Sequence, residues 1–136
     1  MGMSHKNHRA HKDRNHGEIV RDLEAIGCKV MDISGAGGAL DLLTFLRDAV
    51  LLEIKVEVDA VILITQLETM ANWPGFVAYV KNSEQAIYAV RDPRGYCWTK
   101  VDKEWALGFV YRWKAAGKGK MVTAKAFERC WKARKI

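Results

Sequence analysis

The sequence predicts an α/β fold, a mixed sheet covered by helices, with a helical hairpin added at the C-terminus. Three observations carry this. Apolar spacing runs in the order α-β-β-β-α-β-α from about residue 15 to residue 90. Leu52-Glu53-Ile54-Lys55-Val56-Glu57-Val58 alternates apolar and charged residues at every step, as a strand with two unlike faces does. Glycine-rich and Pro-Gly segments fall between the periodic runs, where turns belong.

In chain order, residues 1–14 are polar and His-rich and read as a flexible basic tail. Ile19, Val20, Leu23 and Ile26 form a helical stripe, and Gly27 sits where a C-terminal cap belongs. Cys28–Ile33 reads as a short strand. Ser34-Gly35-Ala36-Gly37-Gly38 is a loop, since small residues offer nothing to pack and glycine permits positive φ. Leu40–Leu46 and Val50–Val58 are apolar strands joined through Arg47-Asp48-Ala49. A helix is expected from Ala60 to Trp73, stopped by Pro74-Gly75, then a strand at Phe76–Val80 and a helix capped by Ser83 and ending near Val90. Beyond the turn at Asp92-Pro93-Arg94-Gly95, Trp105, Phe109, Val110 and Trp113 share a helical face, and so do Phe127, Cys130 and Trp131. Gly117-Lys118-Gly119-Lys120 forms the basic tip between them. The organisation is a tail (1–14), a core (15–90) and a basic, Trp-rich helical extension of the same domain (91–136).

At 136 residues, 49% hydrophobic and 28% charged, this is one globular domain's worth of chain. Three widely spaced cysteines, without a CxxC pair, argue against a disulfide framework and against structural zinc. No apolar run approaches the ~20 residues that span a bilayer, and the His- and Lys-bearing N-terminus lacks the apolar stretch of a secretory signal. The expectation is a cytoplasmic protein with no membrane partner.

The net charge of +6 is unevenly distributed. Residues 1–16 hold four basic side chains against one acidic, residues 17–90 hold five against eleven, and residues 91–136 hold thirteen against four. Basic ends suit a polyanion and an acidic middle suits a cation, although solvated charge alone also keeps a protein in solution. Tryptophan is concentrated in the C-terminal third, which favours core or subunit packing over base stacking. The Gly-Lys-Gly-Lys tip is not a phosphate-binding P-loop, because the upstream glycine and the following Ser or Thr are missing.

The third strand carries the candidate chemistry. Alternation puts Glu53, Lys55 and Glu57 on one face, with Glu53 and Lys55 about 6.5–7 Å apart along the strand. Asp41 opens the neighbouring strand, where a short turn could bring its carboxylate beside Glu53. Two adjacent carboxylates repel, and a divalent cation relieves the repulsion. Oxygen-only ligands suit Mg²⁺ or Mn²⁺, and a lysine alongside can steady a phosphate or polarise a water. A solvated charged strand face is the plainer alternative.

Helical Glu18, the glycine loop, Asp41 at a strand start and Glu53-x-Lys55 in an apolar strand together resemble the PD-(D/E)xK nuclease superfamily, especially small phage and bacterial members related to VRR-NUC domains and archaeal-type Holliday-junction resolvases. The resemblance covers residues 14–90 and includes Gln66 in the following helix. It implies a restriction-endonuclease-like core; metal binding by Asp41, Glu53, the Ile54 carbonyl and Glu18; a catalytic Lys55; and Gln66 near the scissile phosphate. Two positions depart from the pattern: Leu40 stands where proline usually precedes the aspartate, and Leu63-Ile64 replaces the usual Thr-Pro helix start.

The function expected is a Mg²⁺- or Mn²⁺-dependent endonuclease, for which the resemblance implies 5′-phosphate and 3′-hydroxyl ends. Arg14, Arg112, Lys114, Lys118 and Lys120 would track the DNA backbone. A small core offers little groove for reading a long sequence, and the resemblance implies recognition of DNA shape by a symmetric dimer, so branched DNA cut by a homodimer is the expected arrangement, with the aromatic helices as a source of interface. A non-catalytic DNA-binding or assembly protein is the competing class. His5, His8 and His11, with His16 nearby, recur at metal-like spacing, but a tail must be ordered on binding, and the incidental reading is preferred.

Overall fold

Helix α1 (16–25) buries Ile19 and Leu23 and exposes its charged residues. It ends where expected: Gly27 adopts φ 87°, and the amides of Gly27 and Cys28 donate back to the carbonyls of Glu24 and Leu23 at 3.0 and 3.1 Å. This satisfies carbonyls that a helix end leaves open, in a conformation glycine adopts without a Cβ clash. The computed structural model describes residues 16–34, 40–55 and 60–134. The N-terminal tail with Arg14, the glycine loop from Gly35 and Glu57 therefore lie outside the described residues.

Strands β1 (Lys29–Asp32), β2 (Leu42–Phe45) and β3 (Ala49–Ile54) form an antiparallel meander, with Leu42 level with Asp32 on one side and Leu52 on the other. Strand β4 (Val61–Leu63) and helix α2 (Ile64–Asn72) then carry the chain to β5 (Phe76–Val80), which pairs parallel to β3. The sheet order is β1-β2-β3-β5, so the sheet is mixed, as the sequence predicts.

Alternation divides the sheet's two faces between two apolar clusters. Leu52, Ile54, Ala78 and Val80 pack with Ile19 and Leu23 of α1 and with Ala86, Ala89 and Val90 of α3 (Ser83–Arg91). Leu51 and Val77 face the other way, against Leu67 and Met70 of α2, Phe109 and Val110 of α5 (Lys100–Ala115), and Phe127 of α6 (Ala124–Ala133). Burying each large side chain contributes about 1.5–3 kcal/mol.

Two local expectations change. The helix expected from Ala60 starts at Ile64, because Val61–Leu63 pairs antiparallel with β6 (Met121–Thr123). Ala124 N–H donates to Ala60 C=O at 2.8 Å and Ile64 N–H to Lys120 C=O at 2.9 Å, bracketing the ribbon. A strand partner so distant in sequence leaves no trace in local periodicity. Secondly, Asn82 rather than Ser83 caps α3, accepting from Gln85 N–H at 2.8 Å.

The C-terminal segment is built into the core. A single turn, α4 (Pro93–Tyr96), precedes Trp98, which stacks on Trp131 with centroids 4.8 Å apart. Phe127 meets Phe109 edge-on at 5.5 Å. The aromatic faces proposed as a dimer interface are thus packed within the chain. Between the two long helices, the expected direct hairpin contains β6, and Gly117 and Gly119 take φ 68° and 95° to turn the chain. Cys130 does not share the buried face of Phe127: the inward stripe is Ala124 and Phe127, with Trp131 alongside, and Cys130 is exposed. A thiol reagent is expected to label Cys130 rapidly in the native protein, with Cys28 and Cys97 reacting only on unfolding; equal rates for all three would overturn this orientation. Burial, the largest influence, pushes the Cys97 thiol up to about 12, which further suppresses its thiolate.

Candidate functional site

Asp41 is fastened to β3 on both sides of Glu53. Its amide donates to Leu52 C=O at 3.2 Å, while its carboxylate Oδ2 accepts from Ile54 N–H at 2.8 Å. On the opposite side, Ile33 N–H donates to Asp41 C=O at 2.9 Å, so the aspartate backbone is held between two strands. Asp41 is only 5% exposed and Glu53 is fully buried. Asp41 immediately precedes β2, and Glu53 follows Leu52, the β3 partner of Leu42, so the two carboxylates come from adjacent positions on neighbouring strands.

Lys55 continues the β3–β5 ladder, its N–H donating to Val80 C=O at 3.0 Å, and it is partly buried. Strand alternation puts it on the Glu53 side of the sheet. The side chain of Ile54 belongs to the opposite face, while its N–H fixes Asp41. Asp41 and Glu53 lie at the C-terminal end of β3 beside the parallel strand β5, where open α/β sheets commonly bind ligands.

The remaining sequence candidates are arranged differently. Glu18 is exposed on α1, whose buried residues pack on the face opposite Glu53. Gln66 lies on α2, on the Glu53 side, but its Oε1 accepts from Leu63 N–H at 3.1 Å and so caps its own helix. Arg112, Lys114, Lys118 and Lys120 are all exposed, at the end of α5 and in the loop after it. Lys114 is ion-paired with Glu68 at 3.0 Å, and Lys118 lies over the Trp113 ring, 5.2 Å from its centroid.

Tyr79, Glu128 and Lys81 were not identified from sequence. The parallel register sets Tyr79 level with Glu53, and Lys81 forms an ion pair with Glu128 of α6. The Tyr79 phenol is raised well above its ordinary pKa, first by burial and then by the negative charges of Glu128 and Glu53. Only the β3–β5 pairing and the packing of α6 bring these groups together, and neither is encoded in local spacing.

The donor chemistry fits a hard divalent cation. Asp41 binds the Ile54 amide through Oδ2, and Glu53 stands beside Ile54 on β3, so both acids are oxygen donors of the kind such an ion takes. Among the described residues no group of three or more His, Cys, Asp or Glu forms a metal cage. A cation held here would complete its shell with waters and substrate oxygens, which is the habit of Mg²⁺. Comparison with protein-family models, curated proteins and solved structures returns no match for this chain.

Proposed function

We propose that this chain is a divalent-metal-dependent endodeoxyribonuclease of the PD-(D/E)xK type. The observation that carries the reading is the clamp of Asp41 onto β3 around Glu53, with Lys55 two residues on along the same strand face. The order of α1, the three-strand meander, α2, parallel β5 and α3 supports it.

In this reading Asp41 and Glu53 hold Mg²⁺ or Mn²⁺, with the Ile54 carbonyl as a further oxygen donor. The bound ion would supply Lewis acidity and lower the pKa of a water. Lys55 orients the attacking water in line with the phosphodiester and offsets negative charge that develops on the phosphate. In this reading Gln66 serves as a helix cap, and Glu18, exposed on the helix across the sheet, takes no part in holding the ion. Arg112, Lys118 and Lys120 contact phosphates, while Lys114 is partly committed to Glu68.

A four-way junction and a linear duplex of equal length, each incubated in Mg²⁺ and in EDTA, test the activity and the preference for branched DNA. Metal-dependent cutting with the junction favoured is expected, from a homodimer visible by light scattering. Binding without cutting in Mg²⁺ would favour a non-catalytic DNA-binding protein. Replacing both Lys118 and Lys120 by alanine is expected to weaken binding to all sequences alike and to reduce the salt slope by somewhat under two units, at ~0.9 per phosphate contact. Lys114→Ala should change the slope less. An unchanged slope in the double variant would show that the tip faces away from DNA.

A further inference from the structure

Strands β4 and β6 form a two-stranded ribbon whose two faces differ. In its register Leu63 stands opposite Met121, Val61 opposite Thr123 and Ile62 opposite Val122. Opposite residues share a face and successive ones alternate, so Ile62 and Val122 form one side, and Val61, Leu63, Met121 and Thr123 the other. The first side is sealed into the core with Phe109 and Phe127. The second stands in water: Met121 is 53% exposed, Val61 44% and Leu63 37%. Both ends of the ribbon are pinned, by Ile64 N–H on Lys120 C=O and by Ala124 N–H on Ala60 C=O. Exposed apolar side chains scattered singly are ordinary, but three gathered on one rigid face mark a contact surface.

Charge identifies the partner. Residues 60–63 and 117–125 include Lys118, Lys120 and Lys125, all exposed, and no acidic residue. Lys118 and Lys120 precede β6, and Lys125 lies in the first turn of α6, so cations flank the apolar face at both ends. Cations around a narrow apolar strip suit a polyanion that offers apolar surface between its charges, which is nucleic acid with its bases reached. The ribbon also packs on the Glu53 side of the sheet. Val61 follows Lys55 by six residues, so their Cα atoms are within about 22 Å of each other, the length of about six base-pair steps.

We propose that the outer face of the β4–β6 ribbon is a wedge for branched DNA: Leu63 and Met121, with Val61 beside them, press on the base pair at the branch while Lys118, Lys120 and Lys125 hold the flanking phosphates. The choice of DNA as occupant rests on the nuclease reading. Unstacking a base step costs free energy, and it costs least where the stack is already broken. An apolar wedge therefore favours a branch over continuous duplex, a preference that lysines alone do not supply.

The test uses a four-way junction with 2-aminopurine beside the branch point and a linear duplex of the same length, both in EDTA so that nothing is cut. Wild type is expected to bind the junction and raise 2-aminopurine fluorescence, which reports an unstacked base. The double variant Leu63→Thr, Met121→Thr keeps strand propensity and removes most of the apolar face. It should lose the fluorescence rise and bind the junction roughly ten-fold more weakly, for want of apolar burial. Its duplex affinity and salt slope should not change, because no charge is removed. Met121→Thr alone, which leaves the cap residue of α2 in place, should show a smaller loss in the same direction. Thermal unfolding, recorded for each, should be unchanged at these exposed positions. Wild-type fluorescence and affinity in the double variant overturn the wedge and leave the nuclease reading standing. A junction that wild type unstacks but never cuts in Mg²⁺ overturns the nuclease reading and leaves the wedge standing, and a wild type that binds no DNA overturns both. A dimer that dissociates in the double variant by light scattering, or binding to anionic lipid vesicles that the variant loses, gives this face to a second copy or to a membrane and overturns the wedge.

Discussion

Glu53→Gln is expected to slow Mg²⁺-dependent DNA cleavage by at least about 100-fold, the scale on which losing one preorganised electrostatic group is felt in a transition state. Glutamine is the informative replacement because Glu53 is fully buried. Alanine would leave a cavity and mix lost chemistry with lost packing, whereas glutamine keeps the shape and removes the charge proposed to hold a cation. On the proposed reading DNA affinity should change little, since phosphate contacts from Arg112, Lys118 and Lys120 would carry it. Single-turnover cleavage alongside equilibrium binding checks both halves. Wild-type cleavage by the variant would remove Glu53, and with it the site, from the chemistry. Lys55→Ala should also depress the rate while sparing Mn²⁺ affinity, because the role proposed for the lysine is on water and phosphate rather than on the ion.

Phe127→Ala is expected to destabilise the whole domain by about 3–5 kcal/mol, the cost of truncating a well-packed core aromatic. Phe127 is 2% exposed, and its ring neighbours come from four parts of the chain: Tyr79 on β5, Trp98 ahead of α5, Trp105 and Phe109 on α5, and Trp131 on α6 itself. Truncation leaves a void that these large rings cannot readily collapse into. Domains of this kind have only about 5–15 kcal/mol to lose, so the urea midpoint should fall substantially in one cooperative step. If residues 91–136 were a detachable appendage, the sheet would keep its midpoint and only helical signal would be lost early. That two-step result would overturn the sharing of one core between the sheet and the C-terminal helices.

How far the site was legible from sequence depends on the range of the interactions concerned. Glu53 and Lys55 could be assigned to one face because strand alternation is a two-residue rule. Asp41 could be assigned to the neighbouring position because a short turn fixes hairpin register within narrow limits. The cap at Gly27 was equally local, resting on what a helix end requires of its next residue. Gln66 shows the limit: a helix position could be read, but its amide is engaged by Leu63 N–H, a consequence of the chain entering α2 from a strand.

The sequence by itself determined the α/β class, the order of the core elements, the break at Pro74-Gly75 and the charged face of β3, because each is set by contacts within a few residues. Tertiary structure alone decided that Val61–Leu63 pairs with Met121–Thr123, that the C-terminal tryptophans pack inward, and that Tyr79 stands level with Glu53. Those features depend on which distant segments meet. That choice is made by the summed burial of Phe109, Val122, Phe127 and their neighbours, and no local period records it.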